Sequence, residues 1–156
     1  MKKILLLYMT VLFCLLAYSQ EPTFVKGDKY EGYIFDKEHF VFLSIDNQQG
    51  RYTPSEDNIE QCEDILKRNL GNYMINNQIS PSSIPFYRIL PHYKRQYVGF
   101  ITKDNEIVIW INFLRYSYTD LSKDIIWVKD GGSNFWSIFI NLTKKELYNM
   151  EVNGEA

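Results

Sequence analysis

The segment that most limits the fold is Ile107 to Leu114, where Ile107, Ile109, Ile111 and Phe113 alternate with Val108, Trp110, Asn112 and Leu114. Read as a strand, both of its faces are largely apolar, so it has to lie centrally in a sheet with cover on both sides. A four-residue turn, Lys103-Asp104-Asn105-Glu106, joins it to a preceding strand over Tyr93 to Thr102, which makes the pair a hairpin. Further strands are expected over Asp124–Asp130, Phe135–Asn141 and Leu147–Val152, separated by the turn residues Asp130-Gly131-Gly132-Ser133-Asn134 and Thr143-Lys144-Lys145-Glu146. Earlier in the chain Glu38 to Ile45 is dense in β-formers and also predicts a strand, ended by Asp46-Asn47-Gln48-Gln49-Gly50. Gln20 to Lys29 reads as an irregular lead-in.

One helix is signalled clearly. Thr53-Pro54-Ser55-Glu56 has the form of a capping box, with Thr53 at the cap, Pro54 at the first helical position and Glu56 bonding back. Ile59, Cys62, Leu66 and Leu70 recur at three-to-four spacing, with Ile65 beside them, and Gly71 follows as a stop. These signals predict a helix from Pro54 to Leu70 with Cys62 on its buried stripe. Gly71 to Pro91 then forms a long connection containing Pro81, Pro85 and Pro91. The expected class is α+β, one main helix on a curled antiparallel sheet of four to six strands. The element order resembles the cystatin-like and NTF2-like arrangements.

The N-terminus points to export. Lys2 and Lys3 precede fourteen residues, Ile4 to Ala17, with only Thr10 polar among them, and Ala17 and Ser19 are the small residues of a cleavage site. The apolar run is shorter than the roughly 20 residues that span a bilayer. We therefore expect a signal peptide over residues 1–19 and a single domain over 20–156, located in the periplasm or outside the cell, with no membrane span in the mature chain. Phe13 before Cys14 disfavours a lipid-modified cysteine.

Removal of Lys2 and Lys3 leaves 15 basic against 19 acidic residues. A mildly acidic chain without a basic block does not suit nucleic acid. Cys62 is then the only cysteine, so stability must come from the apolar core. His39 and His92 are the only histidines and stand in no zinc spacing, and the Asp130–Asn134 turn lacks the closing glutamate of a calcium loop. No serine elbow and no phosphate-binding glycine loop is present. The reading is a non-enzymatic domain with no cofactor and no metal.

The remaining cluster is rich in tyrosine and arginine: Tyr87, Arg88, Tyr93, Arg95 and Tyr97, with Arg115 and Tyr116 one strand away. That composition is enriched at protein contact surfaces, so these seven are the candidate binding residues. The expected partner is a protein or other macromolecule at the cell envelope. The alternatives are a small apolar ligand held between helix and sheet, near Trp110, Trp127 or Trp136, and an inhibitor-like or immunity-type protein. The sequence leaves the oligomeric state open.

Two resemblances complete the reading. The Ala17–Gln20 junction, with Asp130-Gly-Gly-Ser-Asn-Phe-Trp136, Asn141-Leu-Thr143 and Val152-Asn-Gly-Glu-Ala156, resembles small exported proteins of unknown function from Bacteroidota. Gln96-Tyr97-Val98-Gly99 resembles the Q-x-V-x-G segment of cystatins but is one residue short and lies within a strand. Neither resemblance assigns a role to any residue.

Overall fold

The computed structural model describes residues 21–79, 90–116 and 119–154. The expected signal segment, with Tyr87 and Arg88, lies outside them. One helix packs on a curled, unclosed mixed sheet of seven strands. The strands are β1 Thr23–Lys26, β2 Glu31–Phe35, β3 Gln48–Tyr52, β4 Lys94–Thr102, β5 Ile107–Leu114, β6 Phe135–Asn141 and β7 Glu146–Val152, and the helix is α1 Glu56–Asn76. The sheet is therefore larger than the four to six strands expected. The additional strands come from the polar segments at 23–35 and 48–52, where no continuous apolar run marks them.

The sheet order is β1-β2-β4-β5-β6-β7, with β3 also on β4. β2 runs parallel to the first half of β4, Gly32 opposite Arg95 and Phe35 opposite Val98. β3 runs antiparallel to the second half, Tyr52 opposite Gly99 and Gln48 opposite Thr102. The two strands thus share one edge of β4, and the chain between them leaves the sheet at Asp36 and returns at Gln48. Gly32 permits the close approach of β2: a Cβ there would lie 2.2 Å from the carbonyl oxygen of Arg95. From β4 to β7 the pairing is antiparallel throughout, with Tyr97 opposite Ile111 and Ile111 opposite Ile138.

β5 is covered on both faces, as its composition requires. On one side Ile109, Ile111 and Phe113 meet the stripe Ile59, Cys62, Leu66, Leu70 and Met74 of α1. On the other, Val108 and Trp110 join Phe35, Val98, Phe100 and Phe139 in a second cluster that no helix among the described residues covers. Its cover is two irregular straps, residues 36–47 and 119–131. The segments expected as strands at Glu38–Ile45 and Asp124–Asp130 are these straps. In the first, Val41, Leu43 and Ile45 pack inward while Phe40 and Phe42 point out, which is the alternation of a strand without a pairing partner.

The helix begins and ends later than expected. Ser55 is the N-cap: its hydroxyl accepts from the backbone N–H of Asn58 at 3.2 Å, and the Asn58 amide oxygen accepts from the Ser55 N–H at 3.1 Å. Thr53 is diverted, because its hydroxyl accepts the backbone N–H of Lys37 from the first strap. At the other end the chain stays helical through Gly71, and Met74 adds a fifth buried position to the stripe. Asn77 closes the helix, its side chain donating to the Tyr73 carbonyl at 2.8 Å.

Candidate functional site

Tyr93, Arg95 and Tyr97 do share one side of their strand, and that side faces α1. All three are covered, with Arg95 1% and Tyr97 0% exposed, so they form no accessible surface. The residue that organises them is Glu63, on α1 beside Cys62. The Tyr97 hydroxyl donates to Glu63 Oε1 at 2.7 Å, and Arg95 Nε lies 2.8 Å from the same oxygen. Arg95 Nη2 reaches Glu63 Oε2 at 3.3 Å, and Nη1 donates to the Tyr93 carbonyl at 2.6 Å.

Burial controls the chemistry of this cluster. It raises the Glu63 carboxyl, against the opposing pull of Arg95 and the hydrogen bond from Tyr97. It raises the Tyr97 phenol well above its usual value, helped by the negative Glu63. It also pushes the fully covered Cys62 thiol well above its usual value, with the negative Glu63 adding to the effect. The hydroxyl of Tyr97 and both terminal nitrogens of Arg95 are hydrogen-bonded within the fold, while Arg95 Nε faces Glu63 as an ion pair without a hydrogen bond, and the cluster fastens α1 to β4. A cleft of about 520 Å³ leads to Glu63 and Arg95 between Tyr30, Glu60, Lys67 and Leu90.

Arg115 and Tyr116 behave differently. They follow the end of β5, both are exposed, and the Arg115 guanidinium lies 5.5 Å from the Tyr116 ring centre. Of the candidate residues within the described chain, these two alone reach solvent freely. Gln96-Tyr97-Val98-Gly99 lies in the middle of β4 and is wholly buried.

The opposite face carries features that the sequence reading missed. Arg51 on β3 pins the first strap, donating to the carbonyls of Gly99 at 3.1 Å, His39 at 3.1 Å and Asp36 at 3.2 Å. Its guanidinium also lies over the Phe100 ring at 5.3 Å. With its base fixed in this way, the strap presents Phe40 81% and Phe42 86% exposed. Gln96 and Asn112 secure the second strap. The Gln96 amide donates to the carbonyls of Leu121 (3.0 Å) and Asp124 (2.8 Å) and accepts from the Ile126 N–H, while Asn112 donates to the Ile126 carbonyl. His39 meets Asp124 at 3.4 Å, joining the two straps.

Trp127 rides on the second strap, largely exposed, and stacks on Trp110 at 5.5 Å. Trp110, Trp127 and Trp136 border one cavity of about 120 Å³, well below the ~300 Å³ at which pockets for ordinary small ligands begin. The signal that could have revealed the outward phenylalanines lies in Phe40-Val41-Phe42-Leu43. A segment apolar on both faces must expose one of them if it forms the outermost layer. Compared with protein-family models, with curated proteins and with solved structures, the chain matches none.

Proposed function

We propose that this chain is an exported, non-enzymatic domain that binds another protein at the envelope or outside the cell, through the strap between β2 and β3. The observation that carries this reading is the pair Phe40 and Phe42. Two large rings held in water on a strap fastened by two hydrogen bonds from Arg51, itself anchored on the Gly99 carbonyl of β4, give an apolar contact surface. Such a surface loses little conformational freedom when a partner covers it. The leader-like residues 1–19 support export, with a mature chain starting at Gln20. Arg115 and Tyr116 remain available as a second contact point.

The test compares wild type with Phe40→Ser/Phe42→Ser in a pull-down from envelope fractions, alongside thermal unfolding of both. The reading expects an unchanged melting temperature, because neither ring is packed, and loss of the co-isolated protein. A partner retained by the double variant removes the strap from the interface. N-terminal sequencing of the exported form checks the start at Gln20.

A further inference from the structure

A cleft of about 400 Å³ opens at the end of the sheet where the β4–β5 and β6–β7 turns meet the close of the first strap. Its volume falls within the range of small-ligand sites. The lining is divided in kind. Ile45, Val108, Phe139 and Tyr148 make an apolar floor, with the Phe139 and Tyr148 rings stacked at 5.4 Å and 20°. Asp46, Asp104, Glu106 and Glu146 stand around it, with Lys144 as the one cation among the described residues of the lining.

Internal pairing uses up only part of that negative charge. Glu106 is committed, with Oε1 2.6 Å from Lys144 and Oε2 accepting from Asn141 at 2.8 Å. Asp104 accepts one hydrogen bond, from the neutral Asn47 amide at 2.7 Å. The Asp46 and Glu146 carboxylates lie in no close ion pair with a described residue, although Glu146 and Asp104 add to the field that raises the neighbouring Lys144. The floor registers the field: burial first, then Glu106 and Asp46, push the Tyr148 phenol up to about 12. Among the described residues no three acids converge as metal ligands do. The carboxylates are spread around a hydrophobic well instead.

An acidic rim by itself is what any solvated turn shows, but this one encloses a stacked aromatic floor. A ligand that satisfies both parts carries a positive charge at the end of an apolar stem. The stem lies against Tyr148 and Phe139, and the charge stays at the rim, partly hydrated, among Asp46, Asp104 and Glu146. We propose that this cleft binds an aliphatic ammonium ion, carried either by a free polyamine or by a lysine side chain of another polypeptide. The site is separate from Phe40 and Phe42 and stands whether or not the strap binds a protein.

The test is an NMR titration of the purified protein with 1,5-diaminopentane. Parallel titrations use pentan-1-ol, sodium chloride at matched ionic strength, and a blocked Gly-Lys-Gly peptide. The proposal expects saturable shifts at Asp46, Asn47, Glu146 and Tyr148 with the diamine, and none that saturate with the alcohol or the salt. Asp46→Asn/Glu146→Gln should weaken the diamine by roughly five- to ten-fold, the effect of removing two partly exposed ion pairs. Its melting temperature should hold, since neither carboxylate forms a close ion pair and the pull of Glu146 on Lys144 acts across an exposed surface. Tighter saturation by the peptide identifies a lysine side chain as the natural ligand, and saturation by the diamine alone identifies a free amine. Shifts that merely follow ionic strength, or a double variant that binds as wild type does, overturn the proposal.

Discussion

On one face of the sheet the cover is a helix whose backbone hydrogen bonds are already made, so Ile59, Cys62, Leu66 and Leu70 need only pack. On the other, the cover is irregular chain that meets the sheet backbone only near its ends, at Asn47 and Asp130, and its other backbone groups would be left unpaired against the sheet. The sheet answers with side chains. Gln96, Asn112 and Arg51 between them engage the peptide groups of Asp36, His39, Leu121, Asp124 and Ile126. Buried peptide groups must find partners from some source, and where the element itself supplies none, polar residues appear in the core of the neighbouring strands. The same need explains why Gln96 and Asn112 are buried in strands otherwise filled by apolar residues.

The strongest challenge to this contrast is a substitution at the one charged link from α1 to the sheet among the described residues. Glu63→Ala leaves Arg95 buried and unpaired and should cost about 3–5 kcal/mol, read from urea unfolding. A cost below ~1 kcal/mol would mean that α1 is held by packing alone. Glu63 also links stability to pH. Its carboxyl is raised in the fold, so the folded chain binds this proton more readily than the unfolded chain does. The contribution of the site is therefore fully present below the ordinary glutamate value, declines as pH rises towards the raised one, and is level above it. Glu63→Gln should remove that slope from the stability profile.

Next in size is the strap side. Gln96→Ala strands the carbonyls of Leu121 and Asp124 and the N–H of Ile126 and should cost about 2–3 kcal/mol. Hydrogen exchange should locate the damage: amides of 121–128 lose protection while those of α1 keep theirs. Equal loss on both faces would show that the straps and the helix form one cooperative unit instead of two separately fastened covers.

These two faces were not equally legible in the sequence. β4 to β7 were placed almost to the residue wherever alternation was continuous, as in Ile107–Leu114, and the buried Cys62 followed from helical spacing alone. The straps were misread because Phe40-Val41-Phe42-Leu43 and Ile125-Ile126-Trp127-Val128 have strand composition, while pairing depends on whether a sheet edge is free. Here β2 and β3 fill the edge of β4, and the two segments lie across a face of the sheet instead of joining one of its outer edges. Three of the candidate contact residues, Tyr93, Arg95 and Tyr97, are buried for a related reason. Period two places Tyr93, Arg95 and Tyr97 together, but it does not say which side of the strand the helix covers. Glu63 was the available clue, an acid bordering an apolar stripe, and it marked the buried partner that Arg95 requires.

The helix N-terminus offers a smaller test of the same principle, since Thr53 and Ser55 compete for one role. Ser55→Ala should cost about 1 kcal/mol by freeing the N–H of Asn58. Thr53→Ala removes only an exposed hydrogen bond to Lys37 and should cost less. The reverse order would restore the cap to Thr53.

The smallest effect is expected at Gly71, and it has the opposite sign. A glycine after Leu70 reads as a helix stop, yet the chain continues to Asn76, so Gly71 occupies an exposed interior position of α1. Its φ is not in the left-handed region, and a Cβ built there meets no atom within 4 Å. Alanine therefore fits without strain, and glycine brings the unfolded chain extra freedom that folding must remove. Gly71→Ala should stabilise the protein by about 0.5–1 kcal/mol, seen as a higher urea midpoint with an unchanged slope. If Gly71 instead ended the helix in solution, alanine would oppose the turn and lower the midpoint. The sign of one shift thus decides whether Met74 belongs to the stripe that covers this face of the sheet.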